Sequence, residues 1–115
     1  MHEAQLDQVF AALSDPTRRA ILQRLATAEA TVLELCKPFG LSQPAISKHL
    51  RVLEEAGLIT QAKDAQRRPR ALVVGGPLQE ADAWLQPFRE QWEKRFDRLG
   101  SLLQDTTSTK IERKK

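Results

Sequence analysis

Ser42-Gln43-Pro44-Ala45-Ile46-Ser47-Lys48-His49-Leu50-Arg51-Val52-Leu53-Glu54-Glu55-Ala56-Gly57 is the stretch that decides the fold. Ser42 ahead of Gln43-Pro44 marks a helix start, because its hydroxyl can accept an orphan amide and proline suits a first turn that needs no amide hydrogen. Ile46, Leu50 and Leu53 recur at i, i+4 and i+7, a single apolar stripe that lasts until Gly57 caps the helix. The opposite side presents Pro44, Ser47, Lys48, Arg51 and Glu55, with Gln43 and Ala45 at the N-terminal end. Those first turns offer what nucleic-acid edges require: Gln for adenine, Arg or Lys for guanine, Ser for either, Ala against a thymine methyl. The helix N-terminus itself attracts a phosphate. Taken alone, the same pattern also fits the solvated face of a bundle helix.

The neighbours on both sides narrow the choice. Upstream, Thr31-Val32-Leu33-Glu34 is a capping box opening a short helix, about 32–38, closed by Pro38 and Gly40. The tight turn Phe39-Gly40-Leu41 then joins two helices in the helix-turn-helix pattern, whose second helix, about 43–56, enters the major groove. Downstream, the period changes to short apolar pieces, Leu58-Ile59-Thr60 and Ala71-Leu72-Val73-Val74, separated by a polar stretch with Lys63, Arg67, Arg68 and Arg70. This predicts a β-hairpin over about 58–74 with a basic tip, with Pro69 at the tip or on an edge. A basic wing beside a recognition helix favours nucleic acid over the bundle alternative.

Farther out, Leu6, Val9, Phe10 and Leu13 give a first helix, about 4–13. Ser14-Asp15-Pro16 stops it and starts a second, which Ala20, Ile21, Leu22 and Leu25 carry to about Ala26. From Pro77 a last helix sets Leu78, Ala81, Leu85, Phe88, Trp92, Phe96, Leu99 and Leu103 within about 80° of one another on a helical wheel. So narrow an apolar stripe calls for a partner, although helical aromatic spacing could also line a ligand pocket. Pro87 predicts a kink or short break near Gln86. Residues 106–115 lack periodicity and read as a flexible basic tail behind one domain, 1–105. The expected architecture is mainly α with a small β-hairpin: a winged helix-turn-helix, dimeric through its first and last helices.

Composition agrees. The 115 residues are 41% apolar and 29% charged, ordinary for one folded domain. The net charge of +3 is unevenly spread: −1 over residues 1–41, +3 over 42–76, −2 over 77–105 and +3 over 106–115. Positive charge on the hairpin region suits a polyanion binder. No apolar run approaches the roughly 20 residues of a membrane span. The first residues show no secretory signal, and a lone cysteine, Cys36, fits a reducing cytoplasm. There is no glycine-rich phosphate loop or nucleophile elbow, and Ser47 and His49 lie on different helix faces, so no catalytic activity is expected.

Asp15-Pro16-Thr17-Arg18-Arg19-Ala20-Ile21-Leu22, then Ser42 to Leu50 and Leu53-Glu54-Glu55-Ala56-Gly57-Leu58-Ile59, closely resemble the ArsR/SmtB family of winged-helix repressors. The resemblance covers about residues 5–103. It implies a repressor that dimerises through its first and last helices, here Leu6, Phe10, Leu85, Phe88, Trp92, Phe96 and Leu99, and binds an inverted-repeat operator in double-stranded DNA. The DNA-contacting set would be Ser42, Gln43, Pro44, Ala45, Ser47, Lys48, His49, Arg51, Lys63, Arg67, Arg68 and Arg70. Arg18 and Arg19 stay open between a phosphate contact and an ion pair with a nearby carboxylate. A winged helix that binds protein is the competing class, which salt-dependent retention on DNA would separate.

Metal-sensing relatives carry paired thiols before the recognition helix, or His and carboxylate ligands on the last helix. Here the matching stretch, Val32-Leu33-Glu34-Leu35-Cys36-Lys37, has one thiol, and the last helix has no histidine. Cys36, His2 and His49 are too few for the three or four convergent ligands of a soft-metal site. The aromatic-rich last helix, Trp84-Leu85-Gln86-Pro87-Phe88 through Trp92 and Phe96, resembles a subgroup of that family whose members do not sense metal, which implies no cofactor and a signal that is an unidentified small molecule or protein partner. A redox role for Cys36 is the remaining alternative. Zinc, cadmium or arsenite should leave operator affinity unchanged, and Cys36→Ser should be nearly silent for DNA binding under reducing conditions. Stoichiometric metal binding that releases DNA and disappears in Cys36→Ser would contradict this.

Overall fold

A computed structural model describes residues 3–62 and 66–114, with side chains as far as residue 104. Lys63 lies outside the described residues. Asp15-Pro16 divides the N-terminal apolar pattern into α1 (Glu3–Leu13) and α2 (Pro16–Thr27), the Asp15 carboxylate capping α2 by accepting the Arg18 amide at 3.0 Å. The capping box opens α3 (Val32–Phe39): Thr31 Oγ1 accepts the Glu34 amide at 3.2 Å, and Glu34 Oε1 accepts the Thr31 amide at 3.0 Å. Ser42 Oγ takes the Ala45 amide at the start of α4 (Gln43–Glu55).

The two helices of the motif end in the same way. At α3 the Gly40 amide donates to Lys37 O and the Leu41 amide to Cys36 O; at α4 the Gly57 amide donates to Glu54 O and the Leu58 amide to Leu53 O. This double closure requires a left-handed residue, supplied by Gly40 at φ 62° and Gly57 at φ 76°. Gly57 is doubly constrained, since a Cβ there would stand 2.8 Å from Cγ of Pro77. Pro38 falls inside α3 and does not end it. Its last-turn position forfeits one backbone bond while the left-handed glycine makes the turn.

The hairpin pairs β1 (Ile59–Gln61) with β2 (Arg70–Leu72), antiparallel, Ile59 opposite Leu72. β1 is shifted one residue beyond the expected piece, β2 starts one residue before its expected piece and ends two residues short of it, and Val74 is exposed. A rung invisible in the sequence accompanies the earlier start of β2: the Ala30 and Arg70 backbones exchange hydrogen bonds of 3.0 and 2.7 Å, so the residue before the capping box pairs with β2. Pro69, just ahead of β2, lends its carbonyl to the Ala62 amide at 2.8 Å.

The last helix, α5 (Pro77–Lys114), corrects one expectation: it runs without a break past Pro87. It also continues through residues 106–114, the stretch expected as a tail. Pro87 lacks the amide that would bond the Ala83 carbonyl, so the helix gives up that backbone bond and continues. Beyond it, each residue added to a nucleated helix gains a bond, and residues 106–114 contain neither Pro nor Gly. The chain forms two compact units, one through Asp82 and one from Ala83 onward. The core of the first joins Val9 and Ala12 of α1, Ile21, Leu22 and Leu25 of α2, Leu35 of α3, Ile46, Leu50 and Leu53 of α4, and Leu58, Ile59 and Ala81.

Backbone amides at the caps hold two carboxyls below their usual range. For Asp15 the Arg18 amide is the largest influence, and for Glu34 the Thr31 amide and then the Thr31 hydroxyl. A carboxyl whose pKa is lowered by folding stabilises the fold above its unfolded value, and that stabilisation is lost as pH falls through the folded value. Thr31→Ala removes the hydroxyl that caps α3 and bonds the Glu34 carboxylate, and should lower the urea midpoint at neutral pH. The wild-type advantage should shrink as pH drops through the acid side of the carboxylate range, and a difference constant across that range would contradict it.

Candidate nucleic-acid interface

The seating of α4 determines what is offered outward. Ile46, Leu50 and Leu53 are fully buried, so the helix cannot rotate without exposing them. Their burial leaves Ser42, Gln43, Pro44, Ser47, Lys48 and Arg51 exposed along one side, with Ala45 half-buried at its edge. Six of the expected contact residues thus share one open row. That row begins at a helix N-terminus, where amides not used by the cap favour an anion.

His49 departs from the row. Its Nδ1 stands 3.9 Å from Asp15 Oδ2 and 3.5 Å from Arg18 Nη1, turned toward the start of α2. The two arginines whose role the sequence left open both donate to backbone carbonyls, and Arg18 also lies near enough to Asp15 to help hold that carboxyl low. Arg18 Nε donates to Ala12 O at 2.8 Å and Nη2 to Ala11 O at 3.2 Å, while Arg19 Nη1 donates to Leu13 O at 2.8 Å. Ser14 Oγ also donates to Ala11 O. The orphan carbonyls at the C-terminus of α1, its negative dipole end, are therefore met by two cations from the next helix.

In the wing, Arg67 and Arg68 are exposed, and Arg68 takes a left-handed φ of 46° at the turn into β2. Arg67 lies near enough to Glu34 to help hold that carboxyl low. Arg70, expected in the contact set, is drawn inward: its Nε pairs with Glu54 Oε1 at 3.0 Å, Nη1 donates to Arg68 O at 2.7 Å, and 13% of its side chain is exposed. Sequence spacing carries no signal for the Glu54–Arg70 pair, because the partners belong to different elements.

The residues expected at a dimer interface differ in exposure. Leu6 packs half-buried against the core, and Phe10 is 37% exposed. On α5, Leu85 is half-buried, while Phe88, Trp92, Phe96 and Leu99 are 42–71% exposed. Trp84 lies against Phe88 one turn away, with ring centroids 5.0 Å apart and ring planes tilted by 39°. Cys36 is half-buried against the core, and among the described residues no three His, Cys, Asp or Glu side chains gather as a metal-binding group. No described helix is long and apolar enough to cross a membrane.

A buried-faced second helix, a polar outer row and an antiparallel hairpin define a winged helix-turn-helix module. Residues 13–62 match a helix-turn-helix domain family. The transcriptional repressor SdpR of Bacillus subtilis is 39% identical over 61 residues, 53% of this chain and 68% of SdpR. The HTH-type transcriptional regulator Rv2034 of Mycobacterium tuberculosis is 44% identical over 62 residues, 54% of this chain and 58% of Rv2034. The crystal structure of an ArsR family transcriptional regulator superposes with a TM-score of 0.67 at 44% identity, covering 77% of this chain and 97% of the other. An ArsR-like transcriptional regulator from Rhodococcus sp. RHA1 gives 0.66 at 31% identity, covering 86% and 92%. The chain belongs to the ArsR family of helix-turn-helix transcriptional regulators, DNA-binding proteins and not enzymes.

Proposed function

We propose that the protein is a cytoplasmic repressor that binds an inverted-repeat operator as a homodimer, each α4 reading one half-site. The observation that carries this is the open row on α4, polar and basic, fixed against rotation by the apolar seam beneath it. Gln43, Ser47, Lys48 and Arg51 would meet base edges, with Ser42, Pro44 and Ala45 at the phosphate-facing start. Arg67 and Arg68 would meet phosphate or the adjacent minor groove. His49 and Arg70, occupied within the protein, would support this surface from behind. The exposed apolar stripe of α5 supports association, since burying each large side chain contributes about 1.5–3 kcal/mol. Two half-site contacts related by two-fold symmetry require half-sites about one helical turn, or a small multiple, apart. Release of DNA would fall to a small molecule or protein partner, because one thiol per chain cannot close a soft-metal shell.

The test begins with DNA selected from a genomic pool. Arg51→Ala should weaken binding to the selected duplex by about 1–3 kcal/mol and relax one operator position. Arg67→Ala with Arg68→Ala should instead weaken all sequences, lowering the salt slope by about 0.9 for each phosphate no longer neutralised. Trp92→Ala should reduce self-association in sedimentation, and operator affinity with it. Unchanged affinity and salt dependence in the wing variant, or a wild-type monomer at micromolar concentration, would contradict the proposal.

A further inference from the structure

Glu54 sits on the last turn of α4, beside the exposed row and not within it. Its carboxylate is a meeting point for both strands of the wing. Oε1 accepts Arg70 Nε from β2 at 3.0 Å and Gln61 Nε2 from β1 at 3.4 Å. Arg70 is further fixed by its side-chain bond to Arg68 O and by the two backbone bonds with Ala30. The pair is partly shielded, with 13% of the Arg70 side chain and 29% of that of Glu54 exposed.

A hairpin with three-residue strands is marginal by itself, so its orientation depends on what it is tied to. Its apolar attachment, through Leu58 and Ile59, is non-directional, and the backbone bonds to Ala30 tie β2 to the α2–α3 connection and not to α4. Charge-assisted hydrogen bonds are directional and resist rocking. A carboxylate at this place also repels a polyanion approaching the row, so its presence disfavours DNA of every sequence.

We propose that Glu54 is a positioning residue for DNA recognition, holding the wing at a fixed angle to α4 so that both engage one half-site together. This rests on α4 and the wing being the DNA-contacting surfaces. Removal of Glu54 then has opposite effects on two kinds of DNA. Binding to unrelated sequence strengthens slightly, because a repelling charge is gone; binding to the operator weakens, because the two contact surfaces are no longer held in register.

The experiment measures the affinity of Glu54→Ala, Glu54→Gln, Arg70→Ala and the Glu54→Ala/Arg70→Ala double variant for the wild-type-selected duplex and for an unrelated duplex of equal length. Circular dichroism and stoichiometric DNA titration correct for folded, binding-competent fraction. Glu54→Ala should lower the specific-to-nonspecific ratio at least tenfold while nonspecific affinity holds or rises. Glu54→Gln, which keeps an acceptor for Arg70 and retains folding where Ala does not, should lower the ratio about threefold. The double variant should lose no more specificity than the worse single variant. The swapped pair, Glu54→Arg with Arg70→Glu, restores the opposite charges and should recover part of the ratio. Specificity within twofold of wild type in both Glu54 variants, equal loss on both duplexes, or additive loss in the double variant would overturn the proposal. If Arg51→Ala still weakens the wild-type operator complex in that case, only the positioning role falls; if the wild type shows no sequence preference, the recognition surface falls with it.

Discussion

The outward face of α4 depends on one buried seam, Ile46, Leu50 and Leu53 packed into the core of α1, α2 and α3. Burying each contributes about 1.5–3 kcal/mol, against a net stability of about 5–15 kcal/mol for a typical domain. No other rotation of α4 keeps all three covered. The seam therefore does more than stabilise: by fixing the angle of the helix about its axis, it determines that Gln43, Ser47, Lys48 and Arg51 face outward together.

Around the seam, polar interactions set orientation more than they add stability. Arg18 and Arg19 occupy the end of α1, and Arg18 also reaches His49 on α4, so one guanidinium touches both the helix before it and α4. Glu54 performs the corresponding task toward the wing. Both halves of the presented surface are thus referred to the same rigid helix, from the α1–α2 corner on one side and from the hairpin on the other.

The elements and their limits are legible in the sequence wherever the determinant is local. Thr31 and Glu34 are three residues apart, Asp15 precedes Pro16, and Gly57 follows the last apolar position of α4; each signal acts within one turn and each appears as expected. Partners distant in the chain are not legible. Nothing around Arg70 distinguishes it from Arg67 and Arg68, yet it alone of the three finds Glu54, because the register of β2 turns it toward α4. The Ala30 rung and the carbonyl acceptors of Arg18 are hidden for the same reason. At α5 the difference is energetic: one proline and an aperiodic end weigh less than the gain from extending a helix already formed.

Hydroxyl-radical and methylation footprinting of the wild-type protein on its selected duplex tests the central claim most directly, because it reads the spacing and symmetry of the presented surface. The account predicts two protected major-groove segments related by two-fold symmetry, their centres about one helical turn or a small multiple apart, each flanked by backbone protection that disappears in the Arg67→Ala/Arg68→Ala protein. A single protected segment, or protection confined to backbone with every guanine N7 still open to methylation, would contradict it.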